Sequence, residues 1–186
     1  MKQNKISELQ QSDCIEEVRH LYETAFPPEE QIPWDDVMVL VERMPLDFTI
    51  YYDEEQLLGF TIVYPRKSFN WFWYFAVPEQ LRGRGVGQQI LSQVIKKYKD
   101  GTTILDMESP EQECENQAVR RRRHAFYLRN GFRDTGVGRS FAGIDYTIII
   151  IGDGNFTMQD YDQIIAELRS HLDNMPKPEE NKETNN

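Results

Sequence analysis

The stretch Val77-Pro78-Glu79-Gln80-Leu81-Arg82-Gly83-Arg84-Gly85-Val86-Gly87 joins an aromatic, strand-like run, Trp71 to Val77, to a helical run, Gln88 to Tyr98. Glycine at 83, 85 and 87 lets a backbone come close to a ligand, because no Cβ intervenes. The helix that follows turns its unpaired N–H groups and the positive end of its dipole toward the same place. Strand, glycine turn and helix N-terminus together suit a pyrophosphate. Two common phosphate loops do not fit. A Walker loop ends in Gly-Lys-Ser/Thr, whereas Gly87 is followed by Gln88-Gln89. A dinucleotide fingerprint needs Gly-x-Gly-x-x-Gly, which this glycine spacing does not give.

Working outward, the chain's 186 residues are enough for one domain with a full core. No run of about 18 apolar residues is present, so no membrane association is expected. The polar start Met1-Lys2-Gln3-Asn4-Lys5 lacks the apolar stretch of a signal peptide. The two cysteines, Cys14 and Cys114, are expected to be reduced thiols of a cytoplasmic protein. Neither has metal-ligand spacing and the three histidines are scattered, so no metal is expected. A net charge of −10 argues against nucleic-acid binding and favours cationic substrates. The charge is uneven. Residues 82–124 hold nine Lys/Arg against six Asp/Glu, so the glycine turn lies in the one positive segment, as an anionic ligand requires.

The spacing of apolar residues predicts a helix from Asp13 to Phe26, with Ile15, Val18, Leu21 and Tyr22 on one face, and a second helix after Pro33. Strands are expected at Phe48–Tyr52 and Leu57–Tyr64, joined by a polar turn, and at Trp71–Val77. A helix over Gly87–Tyr98, a strand at Thr103–Met107, a helix over Ala118–Asn130 ended by Gly131, and a strand pair, Phe132–Arg139 with Ile144–Ile151, complete an α/β fold. Its sheet should be central, mixed and mostly antiparallel, with six or seven strands flanked by helices. The Trp71–Met107 unit should be a parallel crossover. Thr157 and Asp160 should cap an added C-terminal helix, residues 157–173, that packs on the domain or extends it. The tail, 176–186, is polar and expected to be disordered.

The pattern Arg82-Gly-x-Gly-x-Gly87, with Ala125-Phe126-Tyr127-Leu128-Arg129-Asn130-Gly131-Phe132 one strand and one helix downstream, resembles the two signature elements of the GNAT superfamily of N-acyltransferases. The resemblance covers residues 6–151. It implies transfer of an acetyl group from acetyl-CoA to a primary amine by direct attack. Backbone N–H groups from Arg82 through Gly83, Arg84, Gly85, Val86 and Gly87 would then hold the cofactor pyrophosphate. Phe75, Ala76 and Val77 would pair with the pantetheine arm like an added strand. Tyr127 matches the tyrosine that in the family protonates the departing thiolate. A phenol with an ordinary pKa near about 10 suits that task.

Two departures stand out. Some members carry a glutamate in the middle of the cofactor strand, and Trp71–Val77 has no carboxylate. Glu108, at the end of the next strand, is the nearest substitute as a catalytic carboxylate, or else a solvated loop residue. Arg120 takes the place of an asparagine common in the family, and opens a run of four arginines that reads as a solvated face or as a phosphate contact. The connector between the first two helices offers Glu29, Glu30 and Trp34 to the substrate, a small-molecule or peptide amine, by charge and cation–π contact. Phe141, in the Arg139–Gly143 loop, would close the other side. A monomer or homodimer fits equally. Two other functions stay open: a non-catalytic acyl-CoA sensor or partner-binding module, and an unrelated phosphate-binding domain.

Overall fold

The computed structural model describes residues 1–8, 13–54 and 56–172. The elements follow in the order β1 (Lys2–Lys5), α1 (Asp13–Ala25), α2 (Trp34–Arg43), β2 (Asp47–Asp53), β3 (Gln56–Pro65), β4 (Asn70–Ala76), α3 (Val86–Lys97), β5 (Thr103–Glu108), α4 (Gln117–Arg129), β6 (Arg133–Phe141), β7 (Ile144–Ile151) and α5 (Met158–His171). One sheet of seven strands runs β1-β2-β3-β4-β5-β7-β6. Only β4 and β5 are parallel; the other neighbours are antiparallel. The expected mixed, mostly antiparallel sheet is therefore what forms, with element ends within two residues of the expected ones. The tail at 176–186 lies outside the described residues. Among the described residues no helix is long and apolar enough to cross a membrane. Cys14 and Cys114 are both free.

One strand was not expected. Lys2–Lys5 adds to the edge of the sheet beside β2, so the sheet begins ahead of position 6. Lys-Gln-Asn-Lys carries no apolar alternation, because an edge strand facing water needs none. Its anchor is electrostatic. Lys5 and Lys97 both pair with the buried Asp47, which also receives a hydrogen bond from Tyr98.

Alternation along the strands separates two helical layers. Ile148 and Ile150 of β7, Ile104 of β5 and Trp71 of β4 pack with α2 and α5. Ile149, Leu105 and Phe72, one residue out of step, pack with α3 and α4. Helix α1 covers β2–β4 through Val18, Leu21 and Tyr22. Helix α5 starts at the expected cap. Asp160 N–H donates to Thr157 Oγ1 at 3.4 Å, and Thr157 N–H donates to Asp160 Oδ2 at 2.9 Å. The helix is fastened to the sheet where Tyr64 Oη donates to Glu167 at 2.7 Å, reinforced by the Arg66–Glu167 ion pair.

Strand β4 carries a bulge. Ile62 lies opposite Tyr74 and Val63 opposite Phe72, so Trp73 has no partner on β3. One extra residue reverses the alternation beyond it. Tyr74 and Ala76 thereby face α1, while Phe75 faces α3. Past the bulge the β3–β4 contact is tight: a Cβ built on Gly59 would lie 2.3 Å from Ala76 O. We expect Gly59→Ala to lower stability by about 1–3 kcal/mol, the range for overpacking a filled site. A urea unfolding curve matching that of the unaltered chain would show that the two strands can spread without loss.

Candidate active site

The site originates in a broken pairing. Strands β4 and β5 are in register only at Asn70 with Thr103 and Trp71 with Ile104. From Phe72 to Ala76, and from Leu105 to Glu108, they run on without joining. A cavity of about 590 Å³ opens between them, lined by Phe72–Phe75 on one side and Leu105–Glu108 on the other. That volume is typical of a small-molecule site. Backbone polar groups along the open β4 edge are left for a ligand to satisfy.

The glycine turn sits just beyond β4. Gly83 (φ +73°) and Gly85 (φ +83°) are left-handed, a conformation that residues with a Cβ avoid. A Cβ built on either meets nothing within 4 Å, so the space above the turn is open. Gln89 N–H is the first to close the α3 ladder, onto Gly85 O at 3.0 Å. The N–H groups of Val86, Gly87 and Gln88 therefore precede the ladder and face outward along the helix axis. Arg82 differs from expectation: its N–H is spent on Glu79 O at 3.0 Å, closing a 3-10 turn at Glu79–Leu81. Gly87 has a packing role as well, since a Cβ there would touch the Phe75 ring at 3.7 Å and Val77 at 3.8 Å.

Tyr127 reaches the same cavity from α4. Its ring packs edge-on against Phe126 and Phe132, with centroids at 5.3 and 5.5 Å. Burial pushes its phenol up to about 12, opposed by the nearby Arg123 charge. The hydroxyl thus stays protonated through the neutral range, as a proton donor must. Among the described residues it makes no hydrogen bond, so its proton is not committed to a carbonyl.

Glu108 also lines the cavity, yet both its oxygens are engaged. Arg120 Nη2 lies 2.7 Å from Oε1 and Arg123 Nη2 lies 2.5 Å from Oε2. A carboxylate held between two guanidinium groups is poorly placed to take a proton from a substrate. The arginine run is accordingly neither a free face nor a phosphate contact at position 120. Arg120 is 5 % exposed and donates a further bond to Gln112 at 2.9 Å.

At the opposite end, the α1–α2 connector closes the cavity. Tyr74 Oη donates to Glu30 O at 2.5 Å, and Tyr22 Oη is 2.9 Å from both Ile32 N and Ile32 O. Gln31 Nε2 donates to Phe26 O at 2.6 Å. So anchored, the connector holds the half-buried Glu30 carboxyl in the cavity wall. Burial raises its pKa above the ordinary carboxylate value, and a hydrogen bond from Tyr146 works in the other direction. The Glu29 side chain lies outside the described residues. Trp34 is not in the cavity: its ring is buried against Tyr22 and Phe48, at 5.7 and 6.1 Å between centroids. As the first residue of α2 on its apolar face, it is taken up by the core.

Phe141 lines the cavity as expected, but several neighbours were not foreseen. Asp106 accepts from Arg139 at 2.8 Å, from Trp71 Nε1 at 3.1 Å and from Tyr161 at 3.3 Å. Burial holds the Tyr146 and Tyr161 hydroxyls well above the ordinary range. An aspartate inside the apolar strand Thr103-Ile-Leu-Asp-Met was the available signal. Tyr146 gave none, since an aromatic in an Ile-rich strand reads as core.

Residues 45–134 match the family model of the acetyltransferase (GNAT) domain. The fold is that of the GNAT acetyltransferases. Among solved structures, it is similar to a protein of Bacteroides thetaiotaomicron assigned to the GNAT family, at 21 % identity and a TM-score of 0.71, over 91 % of this chain and 97 % of that one. It is similar also to the ribosomal-protein-S18-alanine N-acetyltransferase of Escherichia coli, at 17 % identity, a TM-score of 0.58 and 84 % and 99 % coverage. A Bacillus subtilis acetyltransferase in complex with CoA matches at 16 % and 0.58, with 82 % and 99 % coverage. At these identities the likeness establishes the fold. No curated protein sequence matches the chain.

Within this fold the Glu108 pair is structural as well as electrostatic. Glu108→Gln leaves the buried Arg120 charge without its counter-ion. We expect a loss of about 3–5 kcal/mol, the penalty for breaking a buried ion pair from one side. Equal urea midpoints for variant and parent would show that Gln112 and solvent suffice to hold Arg120.

Proposed function

We propose that the chain is an acetyl-CoA-dependent N-acetyltransferase acting on a primary amine, with Tyr127 as general acid. The observation that carries this reading is the unpaired β4 edge, which borders the cavity that Tyr127 enters and leads on to the open glycine turn. Bound acetyl-CoA supplies a thioester whose acetyl group an amine can take directly. The N–H groups from Gly83 to Gly87 suit its pyrophosphate, in the space that a Cβ at 83 or 85 would leave open. The β4 edge at Phe75, Ala76 and Val77 suits its amide-bearing arm, in the manner of an added strand.

The chain's own residues account for the rest. A fixed cleft lines up donor and acceptor, and such positioning removes much of the barrier. A backbone N–H at the end of β4, that of Val77 by analogy with the family, would stabilise negative charge on the carbonyl oxygen. Tyr127, protonated and hydrogen-bond free, would deliver its proton to the departing sulfur. Arg123, near enough to depress the phenol's pKa, favours negative charge at this spot. Glu108 serves in this reading to hold Arg120 and Arg123 in place. The residue that accepts the amine's proton lies elsewhere.

Purified protein should bind CoA and release thiol from acetyl-CoA when an amine is supplied. Tyr127→Phe should lower kcat on the order of 10²- to 10⁴-fold, the usual worth of a positioned acid. CoA affinity, by calorimetry, should stay within a few-fold. Unchanged turnover in that variant would remove Tyr127 from the mechanism. CoA binding without thiol release across a broad amine panel would support a non-catalytic sensor instead, a reading that the double pairing of Glu108 favours.

A further inference from the structure

We infer that Glu30 receives the acceptor's ammonium group and takes one of its protons, in a pocket shaped for a primary amine on an apolar, ring-bearing body. This deepens the acetyltransferase reading and rests on it. Four buried or half-buried carboxylates line the cavity: Glu30, Asp36, Asp106 and Glu108. Asp106 is paired with Arg139, and Glu108 with Arg120 and Arg123. Among the described residues neither Glu30 nor Asp36 makes an ion pair, but Asp36 stands in the first turn of α2, where the helix dipole already favours its charge. The Glu30 carboxyl is coupled to the Tyr146 hydroxyl, which favours its charged form, and it keeps lone pairs for a donor. A half-buried carboxylate without an ion-paired cation gains by binding one. The polar groups that bear on Glu30 are Tyr146 from β7, Asp106 and Glu108 from β5, and Arg123 from α4. Exposed Asp162 adds negative charge at the cavity edge.

The walls decide what the ammonium is attached to. Trp71 and Trp73 stack at 4.7 Å between centroids, and Tyr161 stands edge-on to Trp71 at 6.3 Å. Ile32 and Ile165 line the cavity beside them. Arg139 lies over the Tyr146 and Tyr161 rings, at 4.2 and 5.0 Å from their centroids, and is already neutralised by Asp106. A hydroxyl-rich acceptor would bury hydroxyls against tryptophan and isoleucine without partners. A polyamine would set its further ammonium groups against the tryptophan and isoleucine walls. A ring with a short aminoalkyl arm satisfies both: the ring lies on the aromatic walls and the ammonium reaches Glu30.

The proton balance closes. The ammonium and the Glu30 carboxylate become a neutral amine and a carboxylic acid, and water later takes the proton from Glu30. The freed lone pair forms the C–N bond to the acyl carbon as the C–S bond breaks. The thiolate leaves with the Tyr127 proton, and the surplus proton on the new amide nitrogen returns to the Tyr127 oxygen.

The walls also supply a readout that needs no acyl donor, because two of the chain's three tryptophans line the cavity. Titrating the full chain with 2-phenylethylamine should give a saturable change in tryptophan fluorescence. 2-Phenylethanol, which lacks the ammonium, and spermidine should each bind at least ten-fold more weakly. Glu30→Gln should lose at least ten-fold in 2-phenylethylamine affinity and in kcat/KM, with CoA affinity by calorimetry unchanged as evidence of folding. Tyr146→Phe, which keeps the ring and removes the donor to Glu30, should weaken amine binding several-fold and serves if Glu30→Gln fails to fold. Equal 2-phenylethylamine affinity in Glu30→Gln, or tighter binding of spermidine than of 2-phenylethylamine by the unaltered chain, would overturn the assignment. Neither result touches CoA binding or thiol release, whose absence would instead overturn the acetyltransferase reading.

Discussion

The parallel pairing of β4 with β5 lasts for two positions and then stops, and the rest of the site depends on that interruption. Had the ladder continued, the β4 edge would be sealed and no cavity would cross the sheet. Beyond Trp71 the edge carries backbone groups with no partner on that side. A buried edge is tolerable only where something else satisfies it. The bulge at Trp73 belongs to the same device, since an extra residue bends and twists a strand. It also reverses the facing of Tyr74 and Phe75. Tyr74 can therefore anchor the α1–α2 connector while Phe75 supports the start of α3.

Two kinds of polar residue meet in the cleft. Asp106 and Glu108 are fully engaged, by Arg139 and Trp71 in one case and by Arg120 and Arg123 in the other. They fix the positions of their partners, and breaking them exposes a buried charge. Tyr127 and Glu30 are held by backbone and ring packing, with bonding capacity in reserve. Groups that are rigid yet not saturated are the ones able to exchange a proton with a ligand. Burial in the cavity wall is the largest cause of the raised pKa of each, and at Glu30 the Glu108 and Asp106 charges add to it.

Helix α5 shows how an element that adds nothing to the cradle still shapes the site. Its buried face, Tyr161, Ile164 and Leu168, completes the core over β4, β5 and β7. The same helix brings Tyr161, Asp162 and Ile165 to the cavity. In the proposed reading the donor side is built from the sheet, α3 and α4, and the acceptor side borrows from the α1–α2 connector, β7 and α5. Selectivity for the acceptor can thus vary with the C-terminal helix while the cradle is left alone.

Most of the fold was legible because it is written in local periodicity. Val18, Leu21 and Tyr22 mark one helix face, Ile148 to Ile150 alternate across one strand, and Thr157 with Asp160 caps α5. The glycine turn was legible too, since left-handed backbone at Gly83 and Gly85 is a local demand. β1 was missed because an edge strand held by Lys5–Asp47 has no apolar pattern. The charge partners were missed for a different reason. Arg120 and Glu108 are twelve residues apart on different elements, and only packing tells a solvated arginine from a buried one. Trp34 and Glu30 sit four residues apart with similar prospects in the sequence, yet one enters the core and the other the cavity. The chain alone determined where the left-handed glycine turn lies and which helices and strands form, because those follow from residue type and spacing. Tertiary structure decided which carboxylates are left without an ion pair, because that depends on the distance of every other charge once the strands part.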